Sequence, residues 1–126
     1  MHELAVCQGL IAEVERVARA QQASRVDAVA VAVGALSGVE AGLLERAFSI
    51  ARAGSVAAKA RLRVEVVPAR VACTVCGAEG EVPPNRLLCP ACGGWQVRLV
   101  GGEELLLTQV ELSRDAAPSR PTASVG

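Results

Sequence analysis

Histidine is nearly absent from this chain of 126 residues: the one it has is His2, tyrosine is missing, and Phe and Trp occur once each. With a single histidine, no nucleophile, base and orienting group can be brought together, which argues against a hydrolase. The lack of aromatics, with Trp95 alone between residues 77 and 100, leaves no stacking platform for nucleic-acid bases. Net charge is missing as well. Thirteen basic and thirteen acidic residues cancel, so neither nucleic acid nor an anionic membrane surface has an electrostatic reason to bind. Long apolar runs are also absent, the longest being Ala28 to Leu36, far short of the ~20 residues of a membrane span. Residues 1–25 carry Glu3, Glu13, Glu15 and Arg16 inside their apolar pattern, so no signal peptide can be drawn. The expected compartment is the reducing cytoplasm, where five cysteines read as thiolates or metal ligands and not as disulfides.

What is present begins with an amphipathic pattern from Glu3 to about Gln22, in which Leu4, Cys7, Ile11, Val14 and Ala18 recur every three or four positions. This predicts a helix with Cys7 on its buried face, behaving as a small hydrophobe. Val26 to Val33 alternates Val and Ala and predicts a strand whose alanines let a helix approach. Ser37 and Glu40 have capping-box spacing, so a second helix is expected to follow, with Leu43, Leu44, Ala47, Phe48, Ile50 and Ala51 inward and Gly54 as its stop. A strand with one wet face is expected at 61–67 and another at 104–112. Between Val71 and Gly102 the periodicity gives way to Cys, Gly and Pro. The expected fold is therefore α/β (α+β), a small three-stranded sheet flanked by two helices, with an inserted zinc-ribbon module. Its expected boundaries are 1–69 plus 103–112 for the α/β domain, 70–102 for the insert, and 113–126 for a tail without periodicity that is expected to be disordered.

The insert carries Cys73-Thr74-Val75-Cys76-Gly77 and Cys89-Pro90-Ala91-Cys92-Gly93, two C-x-x-C-G hairpins separated by twelve residues. Each holds two sulfurs on one side of a tight turn, and together they can close a tetrahedron around Zn(II) with no open position, which makes the metal structural. A thioredoxin-like pair would need one C-x-x-C at a helix start. Iron-sulfur clusters usually take other spacings, while a rubredoxin-like iron centre could use this ligand set. At the other end of the chain, the amine of Met1, the imidazole of His2 and the first backbone amides lie within one chelating loop. Four nitrogen donors in a plane suit Ni(II) or Cu(II). Glu3 sits beside them, although a carboxylate in a first helical turn is favoured by the helix dipole without any metal.

These parts, taken in order, resemble the HypA/HybF family of hydrogenase maturation proteins. The resemblance is carried by Met1-His2-Glu3, by Val33-Gly34-Ala35-Leu36-Ser37-Gly38-Val39-Glu40, by the two cysteine hairpins with Cys89-Pro90, and by Gly102-Glu103-Glu104-Leu105, over residues 1–112. One departure is Lys59 ahead of Ala60-Arg61-Leu62, where family members usually carry Gly. The resemblance implies a non-enzymatic nickel metallochaperone that binds Ni(II) through His2, assisted by Met1 and by the backbone amides of His2 and Glu3, and delivers it to [NiFe] hydrogenase. It also implies a supporting role for Glu3 and for Glu40, which the capping box explains equally well. Zn(II) on Cys73, Cys76, Cys89 and Cys92 would be structural, and the implied partners are the GTPase HypB and the hydrogenase large subunit. A homodimer is a further assembly to be checked. The competing reading is a zinc-ribbon interaction or regulatory module whose N-terminal histidine is incidental; nickel stoichiometry separates the two.

Overall fold

The computed structural model describes residues 2–114 and 123–125, with only the backbone described for His2 and for 123–125. Within them the chain forms two compact units. One comprises Met1–Val31, Glu40–Glu65 and Leu106–Gly126, and the other Ala32–Val39 and Val66–Leu105. The cysteine-bearing unit thus extends past the 70–102 segment at both ends and takes in Ala32–Val39, which begins inside the first strand.

The first unit is built on helix α1 (His2–Ala20), helix α2 (Ala41–Ala51) and most of strands β1 (Arg25–Gly34), β2 (Arg61–Val67) and β6 (Leu105–Ser113). The helical periodicity buries Cys7, Leu10, Ile11, Val14 and Ala18 of α1, and α2 adds Leu44, Ala47 and Phe48. Leu43 and Ile50, expected inward, are 45% and 69% exposed, since the buried stripe of α2 follows residues 44, 47 and 48 and leaves both outside it. α1 is followed by Gln22 in the left-handed region (φ 57°), which ends the helical path without a glycine. α2 stops earlier than Gly54, with Arg52 as its C-cap.

The sheet runs β2-β1-β6-β7, where β7 is Ala123–Val125 paired antiparallel to β6 through Val110↔Val125 and Leu112↔Ala123. β6 lies antiparallel to β1, because Gly34 N–H donates to the Glu104 carbonyl at one end and Ser24 N–H to that of Ser113 at the other. Of the tail expected from Ser113 onward, Ser113 closes β6, with its hydroxyl bonded to Asp27, and Ala123–Val125 form a strand. Residues 115–122 and 126, the rest of that expected tail, lie outside the described residues. No described helix is long and apolar enough to cross a membrane.

In the second unit, strands β3 (Ala69–Cys73), β4 (Glu79–Val82) and β5 (Val97–Gly101) form a sheet of order β4-β3-β5. Its core is small: Ala69, Val71 and Val82, with Leu36, Val97 and Leu99 against them. Leu36 explains why the 32–39 segment belongs here, as does a close backbone crossing. A Cβ on Gly34 would lie 2.3 Å from the Gly102 carbonyl oxygen, and that oxygen accepts the Leu36 N–H at 2.7 Å. Gly102 itself has φ +93° with the Ala69 Cα 2.7 Å from where a Cβ would stand. Gly102→Ala should cost about 2 kcal/mol or more, combining a left-handed backbone with a steric clash against backbone that cannot swing away. Denaturant unfolding of the variant beside the parent chain measures it.

Candidate metal centre

The two C-x-x-C-G turns bring their sulfurs together: Cys73, Cys76, Cys89 and Cys92 offer atoms that all lie within 4.8 Å of one another. Cys73 Sγ and Cys92 Sγ are 3.8 Å apart, and Cys76 Sγ and Cys89 Sγ 3.5 Å. A zinc tetrahedron with Zn–S bonds of about 2.3 Å has edges of about 3.8 Å, so the donor set fits that metal closely. Each turn is made the same way. In the first, Cys73 Sγ accepts N–H bonds from Val75 (3.3 Å) and Cys76 (3.4 Å); in the second, Cys89 Sγ accepts from Ala91 and Cys92 (both 3.3 Å). The turns close with Gly77 N–H to the Cys73 carbonyl and Gly93 N–H to that of Cys89, and both glycines sit at φ near +80° and +74°.

These N–H groups also set which thiols ionise first. The amides of Cys92 and Ala91, opposed by burial between them in size, hold the Cys89 thiol down at about 6, and those of Cys76 and Val75 lower Cys73. At Cys76 the Ala78 amide favours the thiolate, but sharing protons with Cys89 and Cys73 outweighs it and pushes the thiol up to about 11. The turn amides thus favour the thiolates of Cys89 and Cys73, and a bound Zn(II) displaces the remaining protons. With four sulfurs bound, the metal has no place for water or substrate and supplies only cross-linking.

The N-terminal group is described in part. α1 starts at His2, while Met1 and the His2 side chain lie outside the described residues. Glu3, in the first turn, is half-buried, and its Oε2 accepts the backbone N–H of Glu40 at 3.3 Å. Glu40 proves to be the N-cap of α2 itself: its carboxylate accepts the Gly42 N–H, while Ser37 Oγ accepts the Val39 N–H at 3.2 Å. The N-cap thus falls three residues later than expected, and no capping box forms, since Leu43 stands at N3. The helix starts at Ala41 and not next to Ser37, because Ser37 spends its hydroxyl on a local turn. Sequence reasoning missed the Glu3–Glu40 contact, which joins residues 37 apart and leaves no local signal. Cys7 is fully buried, its thiol donating to the Leu44 carbonyl at 3.4 Å, and burial together with the Glu3 charge pushes it up to about 11. It stays a thiol at neutral pH and is far from the reactive range. Glu40→Ala should lower stability by about 1 kcal/mol through the lost cap, without changing zinc content, as thermal melts and elemental analysis can establish.

Comparison with known proteins places these features in one family. A family model described as hydrogenase/urease nickel incorporation, metallochaperone, hypA, matches residues 1–112. The chain belongs to the HypA family. The hydrogenase maturation factor HypA of Nitrosospira multiformis is 46% identical over 112 residues, covering 89% of this chain and 97% of that one. The factor of the same name from Aquifex aeolicus is 39% identical over 115 residues, covering 91% and 100%. In three dimensions the chain is similar to the solution structure of the Ni metallochaperone HypA from Helicobacter pylori, with a TM-score of 0.64 at 25% identity over 90% of this chain and 98% of that one. Family membership identifies the chain as a nickel metallochaperone of hydrogenase maturation, a carrier and not an enzyme, with a mixed α+β fold and a four-cysteine metal site that fits structural zinc.

Proposed function

We propose that this chain carries Ni(II) on its first three residues, through the His2 imidazole, the Met1 amine and the backbone amides of His2 and Glu3, and releases it to the large subunit of [NiFe] hydrogenase. The observation that carries the reading is where the nickel-incorporation family and the first helix begin: the match starts at residue 1 and α1 at His2. The first N–H groups of a helix have no intrahelical acceptor, so giving up the protons of these amides to a metal breaks no helical hydrogen bond. Glu3 anchors this end by holding the Glu40 amide, and it is the next residue in the chain after His2. Zinc on Cys73, Cys76, Cys89 and Cys92 organises the second unit and takes no part in the nickel chemistry. The GTPase HypB is the proposed partner in handover, the reducing cytoplasm the proposed compartment, and a homodimer a further assembly. Copper binds such a donor set more tightly than nickel, so selectivity rests on metal supply and on partner contacts.

The pH dependence tests the assignment. Nickel needs a neutral imidazole and a deprotonated amine, whose ordinary values lie near 6.5 and about 7.7–8.0, so affinity rises with pH across that range and falls on mild acidification. Zinc, held by four thiolates, outlasts it. Equilibrium dialysis with elemental analysis, on untagged protein at two pH values around 6.5, should give one zinc at both and about one nickel only at the higher. A chain that holds zinc alone at both would instead be an interaction module.

A further inference from the structure

We propose that β2 is the contact surface of a symmetric homodimer, in which the strand pairs antiparallel with itself about Val64 and joins two sheets into one. β2 ends the sheet order, with β1 on one side and no described strand on the other. Such an edge presents unpaired N–H and C=O groups to any strand that fits. Ala35 N–H donates to the Val67 carbonyl at 2.8 Å, so Val67 directs its backbone groups inward. By the alternation of an extended strand, Arg61, Arg63 and Glu65 do the same, and Leu62, Val64 and Val66 aim theirs outward.

The side chains alternate in step. Leu62 and Val64 lie half-buried on one face with Val66, which is 56% exposed, while Arg61, Arg63 and Glu65 are exposed on the other. Centring a twofold axis on Val64 sets Val64 against its own copy, Leu62 against the partner's Val66, and Arg63 against the partner's Glu65. Every outward-pointing residue then falls in a hydrogen-bonded pair, giving about six backbone bonds, and each Arg–Glu pair falls at a narrow site where side chains come closest.

Other registers lose this match. A shift by two residues in one direction places Arg63 opposite itself, and in the other places Glu65 opposite itself. Parallel pairing sets each charge against its like, and a shift by one turns the apolar face outward. The groups needed are available. Glu65 makes no ion pair among the described residues, and the exposed Arg63 reaches Gln109 and the half-buried Glu111 only at 3.5 Å, contacts too weak to hold it. Beside the strand, two adjoining clefts of about 500 and 630 Å³ share Leu62 and Glu45 in their walls and leave room for the partner's Val66. The second copy is the occupant because the strand is complementary to itself in charge and in apolar pattern, as an isologous contact requires.

Dimerisation is read without nickel, so its failure would leave the nickel reading untouched, and the reverse. Sedimentation equilibrium on the untagged, zinc-loaded full chain should show a concentration-dependent dimer. Glu65→Arg or Arg63→Glu alone turns two symmetric attractions into repulsions and should weaken it about tenfold or more, while circular dichroism and zinc content stay unchanged. Mixing the two single variants should restore a dimer as a heterodimer, since their strands are complementary to each other. Should a single variant fold poorly, the double variant Arg63→Glu with Glu65→Arg should dimerise like the parent chain yet not cross-pair with it. A parent chain that stays monomeric overturns the proposal. So does a dimer indifferent to these charges, which would be a homodimer through another surface.

Discussion

His2→Ala should abolish tight nickel binding and leave one zinc per chain. The imidazole is the only side-chain nitrogen of its kind in the sequence, so no other histidine can take its place. Loss of a residue that merely orients a ligand typically costs ~10–100-fold in metal affinity, and removing the ligand itself should cost more than about 100-fold. An N-terminal extension should act as strongly, because it converts the Met1 amine into an amide and separates the donors. The zinc ligands begin at Cys73, in a different compact unit, and should be indifferent to either change. Isothermal titration with Ni(II), alongside elemental analysis for zinc, reads both effects at once. Unchanged nickel affinity in both variants would sink the assignment.

Cys89→Ser should remove zinc and melt the second unit while the first keeps its fold. Cys89 is buried, its sulfur accepts two backbone N–H bonds, and those bonds hold it as a thiolate. A serine hydroxyl at neutral pH offers zinc neither the charge nor the softness of that sulfur. The apolar cluster of Ala69, Val71 and Val82 in this unit is worth a few kcal/mol at about 1.5–3 for each large side chain. Zinc binding in small structural sites is worth ~10–16 kcal/mol, so the metal and not the core decides whether the unit is folded. Helices α1 and α2 bury Cys7, Leu10, Val14, Leu44 and Phe48 in the first unit, so helical circular dichroism should persist. Amide resonances of Val66–Leu105 should collapse toward unfolded positions, and chelation of zinc from the parent chain should reproduce this.

Much of the molecule was legible one residue at a time. Both C-x-x-C-G turns, the buried stripe of α1 and the bounds of β2 depend on geometry within a few residues, and the structure has them where spacing places them. The misses share a cause. The outward turn of Leu43 and Ile50 depends on which side of α2 meets its neighbours, and hydrophobicity alone is silent on that. Glu40 stands as the cap, and not as the partner of a cap, because Ser37 was free to bond the Val39 amide instead. Two local motifs competed there, and their outcome depends on where the chain leaves β1.

By itself the sequence determined which donors are available: four cysteines in two C-x-x-C-G turns, one histidine at position 2, and no second histidine with which to build a hydrolase. Tertiary structure decided which distant pieces meet. It brought the Glu3 carboxylate to the Glu40 amide, 37 residues away, and laid Gly34 against the Gly102 carbonyl, so that two of the four segments resembling the family touch in one unit. Spacing along the chain specifies contacts that form within a turn. Contacts across the fold depend on the path of the return, which packing of the whole unit selects from many that local propensity allows equally.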